Sequence, residues 1–431
     1  MDREAARRVL EANDRGSFTV PADGLYPYQW LWDSAFAALG WACVDEVRAW
    51  QELRSLVAAQ WPSGMLPHIV FHRPEPGYFP GPKVWGVARS PASTGITQPP
   101  VVATVARRLW ERARDRRLAD REASELLPHL VAYHRWLRRV RDPDDTGLVA
   151  ILHPWESGMD NSPAWDEALS RVPDERAADV MGPAGQEGRV RRDVLHVEPD
   201  QRPSDLEYRR YVALVLTLRD HGYDSVRATA ASPFRVADVG FNALLYRADL
   251  DLLGLAQALG RQEGDLEAMW EQVEASRRAI EGLWSEQAGL YLSRDLRTGR
   301  TIPLATSAGL LPLFAGIPSP QRAARMVATL EGWGERVRYL VPSADPAGPI
   351  FEPRRYWRGP VWIHVNWMVA AGLQSYGYDQ LAERVRRDSL ALIERSGFRE
   401  YYDPLTGEGL GARAFTWSAA LALDWTAASD V

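Results

Sequence analysis

Two carboxylates in aromatic surroundings, far apart along the chain, are the residues best suited to do chemistry. Asp160 lies in Trp155-Glu156-Ser157-Gly158-Met159-Asp160-Asn161, and Glu400 in Arg399-Glu400-Tyr401-Tyr402-Asp403. A glycosidic bond is broken by such a pair, one carboxyl protonating the leaving oxygen while the other activates water and aromatic rings hold the sugar. A carboxyl beside Trp155 and Met159 can keep a raised pKa through lost solvation, which a general acid needs near neutrality. The expectation is a glycoside hydrolase. The plainer alternatives are a capped helix with a surface loop at 155–166 and a surface turn of acids after residue 400, where Asp403 and Glu408 compete for any basic role.

Three further motifs would furnish a sugar site. Tyr26-Pro27-Tyr28-Gln29-Trp30-Leu31-Trp32-Asp33-Ser34 can set Tyr26, Trp30 and Asp33 on one face, rings against sugar carbons and carboxylate against hydroxyls. Asp33-Ser34 could equally cap the apolar helix that follows. Gln98, in Gly95-Ile96-Thr97-Gln98-Pro99-Pro100, offers an amide suited to vicinal hydroxyls, or is simply a helix-terminus residue; a proline after it suits a first helical turn. Tyr356-Trp357-Arg358-Gly359-Pro360-Val361-Trp362 sets three aromatics at a loop-to-helix junction, with Pro360 again suited to a first turn. That reads as a sugar platform.

Composition narrows the partners. Eighteen Trp and fifteen Tyr exceed what a core of this size needs, although most of them will pack helices. A net charge of -6 gives no electrostatic case for nucleic acid or an anionic membrane, leaving a small neutral or anionic ligand. Cys43 is the only cysteine, so an intrachain disulfide and a Cys-rich zinc site are excluded, and a reduced compartment fits. Lys83 is the only lysine, which removes Schiff-base chemistry unless that residue supplies it. No Asp-x-Asp-x-Asp-Gly calcium loop is present, and no metal or other cofactor is expected. The charged start Met1-Asp2-Arg3-Glu4 reads as neither signal peptide nor anchor, and no run approaches the roughly 18 apolar residues of a membrane span. A cytoplasmic enzyme is expected.

The elements that must position these residues are helices. Apolar residues recur at three- and four-residue spacing over 3–13, 32–41, 46–60, 98–115, 119–140, 204–220, 237–259, 264–284, 305–314, 319–331, 360–375, 378–396 and 413–428. Strand-like alternation is scarce. Neighbouring segments look antiparallel, as where Tyr376-Gly377-Tyr378 separates two of them. Polar turns ending in Gly-Leu recur at 142–148, 284–290 and 403–410. Helices in pairs predict an all-α chain folded as an (α/α)6 barrel, one catalytic domain over 1–431. The long stretches 61–97 and 155–203 read as non-helical active-site loops, able to move as flaps.

From about Tyr26 to Trp417 the chain resembles glycoside hydrolase family 63, in its compact bacterial branch acting on mannosylglycerate and glucosylglycerate, and more distantly trehalases. The strings Glu-Ser-Gly-Met-Asp-Asn and Tyr-Trp-Arg-Gly-Pro-Val-Trp carry the likeness. The resemblance implies the barrel already suspected, Asp160 as general acid and Glu400 as general base. It implies a sugar subsite of Tyr26, Trp30, Asp33, Gln98, Trp155, Tyr356, Trp357 and Trp362, with Tyr78 closing over it. Arg202 with Tyr208 would receive a glycerate carboxylate, a part that Arg189, Arg191 or Arg192 could also take. Larger members carry an N-terminal β domain and some bind calcium. A chain starting almost on the barrel favours a small free sugar-acid conjugate over a protein-linked glycan.

The reaction implied is inverting hydrolysis of an α-hexosyl-glycerate to D-glycerate and free hexose. A trehalase-like or other α-glucosidase is the nearer alternative. A sugar epimerase or isomerase on the same barrel would work with paired histidines, for which only His68, His153 and His364 are placed. A noncatalytic sugar-binding protein would explain the aromatics and not the acids. The Arg-rich surfaces permit self-association.

Overall fold

Each inner helix of a helical toroid faces neighbours on every side, while each outer helix buries one stripe, and the sequence carries both kinds. The computed structural model describes residues 1–181, 193–261 and 267–427. Its principal helices are α1 (Arg3–Asn13), α2 (Leu31–Ala42), α3 (Glu46–Ala58), α4 (Val102–Arg112), α5 (Arg116–Arg141), α6 (Asp205–Asp220), α7 (Val239–Ala258), α8 (Glu267–Glu281), α9 (Leu311–Ala315), α10 (Pro320–Gly334), α11 (Ile363–Ser375), α12 (Asp379–Ser396) and α13 (Thr416–Ala427). In α11 and α13 nearly every residue is buried, whereas α12 buries Ala382, Val385, Ser389, Leu392 and Ile393 along one side.

Contacts close the inner set into a ring in the order α2, α4, α7, α9, α11, α13 and back to α2. Outside it α3 packs on α2, α5 on α4, α8 on α7, α12 on α11, and α1 on α13. The sixth outer helix, α10, follows α9 and packs on the short strand Leu290–Tyr291. This is an (α/α)6 barrel, as the helix pairs predict. Each outer helix returns the chain, so the inner helices run the same way and their N-terminal ends gather at one mouth.

The remaining helix, α6, stands apart from the ring and packs on the short helices Pro82–Trp85 and Glu175–Met181. It thereby ties the two long insertions together. The first insertion is also stitched by strands: β1 (Gln29–Trp30) pairs antiparallel with β2 (Ile69–Phe71), which pairs with β3 (Ala92–Ser93). The second is not non-helical: its described part contains short helices at Pro154–Ser157, Pro163–Trp165, Asp166–Ser170, Glu175–Met181, Asp193–His196 and Pro199–Gln201. Prolines start several of these turns and then interrupt the periodicity that would reveal them.

Several helix starts differ from expectation, that of α9 by the most, at Leu311 and not at 305, and two of the shifts have a plain cause. Helix α4 begins at Val102 and not at 98, because Gln98 and Pro99 each precede a proline and are steered away from helical backbone. Helix α11 begins at Ile363, beyond Pro360, because Val361 exchanges both backbone hydrogen bonds with Tyr402, at 2.8 and 3.0 Å. That bridge brings the aromatic segment 356–362 against β4 (Arg399–Tyr402), which forms a hairpin with β5 (Gly409–Arg413). The turn that could have been a surface run of acids is therefore a buried strand at Glu400, with 1% of its surface exposed.

Candidate active site

At the mouth of the barrel lies a cavity of two lobes. The inner lobe is walled by Tyr26, Trp30, Asp33, Gln98, Tyr356, Trp357, Trp362 and Glu400. The outer lobe includes Tyr78, Trp155, Arg202 and Tyr208. Asp160 lines both, together with Tyr26, Trp30, His68 and Tyr356. The acid, the base, the sugar-subsite residues and Tyr78, Arg202 and Tyr208 thus all border one or both of these adjoining lobes. Arg189, Arg191 and Arg192 lie outside the described residues.

The turn that carries Asp160 is built by its neighbours. His153 accepts from the Trp155 N–H (3.0 Å) through Nδ1 and donates from Nε2 to the Tyr211 carbonyl (3.0 Å), so burial leaves it neutral, its pKa pushed down to about 3. Glu156, the other acid of the motif, points away from the cavity. It accepts from Arg141 (2.6 Å) and from the N–H groups of Leu152 (2.7 Å) and Thr97 (3.3 Å), which ties this turn to the Gln98 loop. Gly158 then turns the chain at φ +71°, and a Cβ there would come within 2.5 Å of the Trp32 ring. Only glycine meets both demands.

Beyond the turn, Asn161 accepts from the Trp357 N–H (2.9 Å), and Asp166 holds the Arg358 guanidinium with two bonds of 2.9 and 2.8 Å. The two motif strings are docked on one another by these contacts. Trp357 and Trp362 stack face to face, 3.8 Å between ring centres and 3° from parallel, as one wall of the inner lobe. Tyr356 occupies the left-handed region at φ +42°, a strained conformation for a bulky side chain and of the kind that gathers at functional sites.

The two carboxylates differ in electrostatics. Burial lifts the Asp160 carboxyl from 3.8 to about 7, with the Glu400 charge adding to the rise and Arg202 opposing it. Burial likewise holds Asp33 well above the usual carboxylate range, and the charges of Glu400 and Asp160 add to that. Glu400 accepts from Arg202 at both oxygens (3.2 and 2.6 Å), from the Tyr26 hydroxyl (2.7 Å) and from the Ala412 N–H (2.9 Å). Asp403 is spent on the Leu405 and Thr406 N–H groups, and Glu408 pairs with Arg354 at the surface, so neither competes for the cavity.

Arg202 is buried with its guanidinium 4.6 Å from the Tyr356 ring centre, its Nη1 bonded to Tyr26 as well as Glu400, and its Nε without a partner among the described residues. The cation assigned to a ligand carboxylate is thus also the partner of Glu400. Tyr208 donates its hydroxyl proton to the Phe79 carbonyl (3.0 Å) and would have to re-aim it to donate to a ligand carboxylate. Trp32, Phe415 and Trp417, which the sequence does not nominate, also line the inner lobe, as does His68, named by sequence only for an isomerase. Trp32 and His68 sit in or near motifs singled out by sequence, but nothing in their spacing tells a lining ring from a core ring. Among the described residues no cluster of His, Cys, Asp or Glu is arranged to hold a metal ion.

Comparison with known proteins agrees with this architecture. Residues 26–418 match the model of the mannosylglycerate hydrolase MGH1-like glycoside hydrolase domain. The chain is 56% identical to the mannosylglycerate hydrolase of Thermus thermophilus over 98% of its own length and 99% of that protein's. It is 36% identical to the glucosylglycerate hydrolase of Mycolicibacterium hassiacum, over 97% and 96% of the two lengths. A crystal structure of a family 63 mannosylglycerate hydrolase from Thermus thermophilus, in complex with Tris and D-glycerate, is 56% identical and superposes with a TM-score of 0.93 over 98% of this chain and 99% of that one. With the ring of helices, the paired carboxylates and these matches on one chain, the protein belongs to the MGH1-like glycoside hydrolases of family 63.

Proposed function

We propose that this glycoside hydrolase cleaves α-mannosylglycerate, α-glucosylglycerate or both by single displacement, releasing D-glycerate and free hexose with inversion. The observation that carries the reading is the place of Asp160, where the two lobes meet, with Glu400 in the inner lobe alone. A hexose in the inner lobe and a glycerate in the outer lobe would put the bond to be broken at that junction. Asp160, held protonated near neutrality by burial, gives its proton to the glycerate oxygen. Glu400 takes a proton from water attacking the opposite face, for which the two carboxyls should stand roughly 6.5–9.5 Å apart.

Indole stacking on the sugar, Asp33 and Gln98 toward its hydroxyls, and Arg202 toward the glycerate carboxylate complete the assignment. The Thermus relative has been crystallised with D-glycerate and, separately, with glucose, which supports a glycerate and a hexose as the two parts of the ligand. Residues 1–431 act as one catalytic domain. A cytoplasmic setting belongs to the same reading, supported by a chain whose one cysteine, Cys43, can form no intrachain disulfide. No helix among the described residues is long and apolar enough to cross a membrane.

The test is a proton NMR time course with each conjugate in a separate tube. Free hexose appearing first as the β anomer, before mutarotation, supports hydrolysis, inversion and the substrate ranking together. The α anomer first would remove inversion. No turnover of either conjugate, with cleavage of trehalose or another α-glucoside, would discard the glycerate pocket.

A further inference from the structure

His364 is the second residue of α11 and is wholly buried. Neither of its ring nitrogens has a hydrogen-bond partner among the described residues. Burial keeps the ring neutral, its pKa held far below 6.5. A buried polar group without a partner lowers stability, so an apolar side chain would serve better if filling space were the only task.

The neighbours of His364 are aromatic. Its ring centre lies 4.2 Å from that of Trp417 and 4.5 Å from that of Trp32, the latter edge to face at 74°. Phe36 follows at 5.5 Å, then Trp357 and Trp362 at 5.7 and 5.9 Å. All four indoles line the inner lobe while His364 stands behind them. Two of them support the carboxylates. Trp32 closes on Gly158, two residues before Asp160, and the Trp417 Nε1 donates to the Glu400 carbonyl (3.2 Å).

We propose that His364 is a positioning residue, its imidazole bracing Trp32 against Trp417 and so setting the spacing of the Asp160 and Glu400 carboxyls. The proposal rests on the reading of those two groups as acid and base. A ring N–H attracted to an indole face is weak but directional, whereas an aliphatic side chain fills the same space with no preferred orientation. Acid and base tolerate only a fraction of an ångström of drift before turnover suffers.

The experiment compares His364→Leu with the wild-type protein on α-mannosylglycerate and α-glucosylglycerate. The variant should melt at the same temperature or higher, because the orphan nitrogens are gone. Its kcat should fall at least about tenfold with KM within about threefold, and D-glycerate should shift the melting temperatures of variant and wild type equally. A folded variant with kcat within about twofold of wild type overturns the proposal, as does a parallel loss of kcat and of D-glycerate binding. His364→Phe is measured alongside, and failure of both variants to fold makes the residue merely structural and overturns it too. If the wild-type protein itself turns over neither conjugate, the fault lies in the assigned reaction and not in His364.

Discussion

On the reading of Asp160 as general acid, its carboxyl sets stability against activity. Its pKa is raised, so between about 4 and about 7 the folded protein binds more protons than the unfolded chain, and stability falls as pH rises through that window. Asp160→Asn removes this penalty. The variant should melt a few degrees higher than wild type at about pH 8 and equally at about pH 4, while kcat drops by about a thousandfold or more and KM stays within a few-fold. Equal melting temperatures at both values would mean that the carboxyl is not held protonated by its surroundings. The same carboxyl should set the alkaline limb of the kcat/KM profile near 7, since the acid must be protonated to act. Asp160 and Glu400 are legible in the sequence because an acid among aromatic residues is rarely idle. Arg202 is legible as a cation for the site, but its bond to Glu400 is not, since 198 residues separate the pair.

At the scale of elements, the turn from Pro154 to Asp160 and the segment from Tyr356 to Trp362 behave as one assembly. Glu156 is the pin on the side of Gln98, and its Arg141 partner is as deeply buried as it is. Glu156→Gln leaves that guanidinium without a countercharge, and the expected cost is about 3–5 kcal/mol in denaturant unfolding. A change below about 1 kcal/mol would show that the pair is not what holds the turn. Helices are legible wherever apolar periodicity runs for three turns or more, as in α5 and α12. Their starts are not legible at Gln98 and Pro360, where proline suggests a first turn and a second proline or backbone bridging decides otherwise. The short strands and helices of the two insertions leave no trace, because two to seven residues are too few to show a period.

The molecule as a whole depends on ring closure. Its tightest seam is α2 against α13, where a Cβ on Gly40 would sit 2.5 Å from the Ala420 Cα. Gly40→Val should therefore destabilise by at least about 1–3 kcal/mol, and activity should be lost in step with the folded fraction, read by far-UV circular dichroism beside turnover. Activity lost from a protein that stays fully folded would instead assign the seam a direct part in the site. That helices alternate between inner and outer positions is legible from their apolarity, since α11 and α13 lack a polar face. Which helix closes on which is not, because the seam joins segments from opposite ends of the chain. The hairpin bearing Glu400 and helix α13 are also made last, far along the chain from Asp160. On the reading of Asp160 as acid and Glu400 as base, a chain ended before that hairpin keeps its acid, lacks its base and should consume none of its substrate.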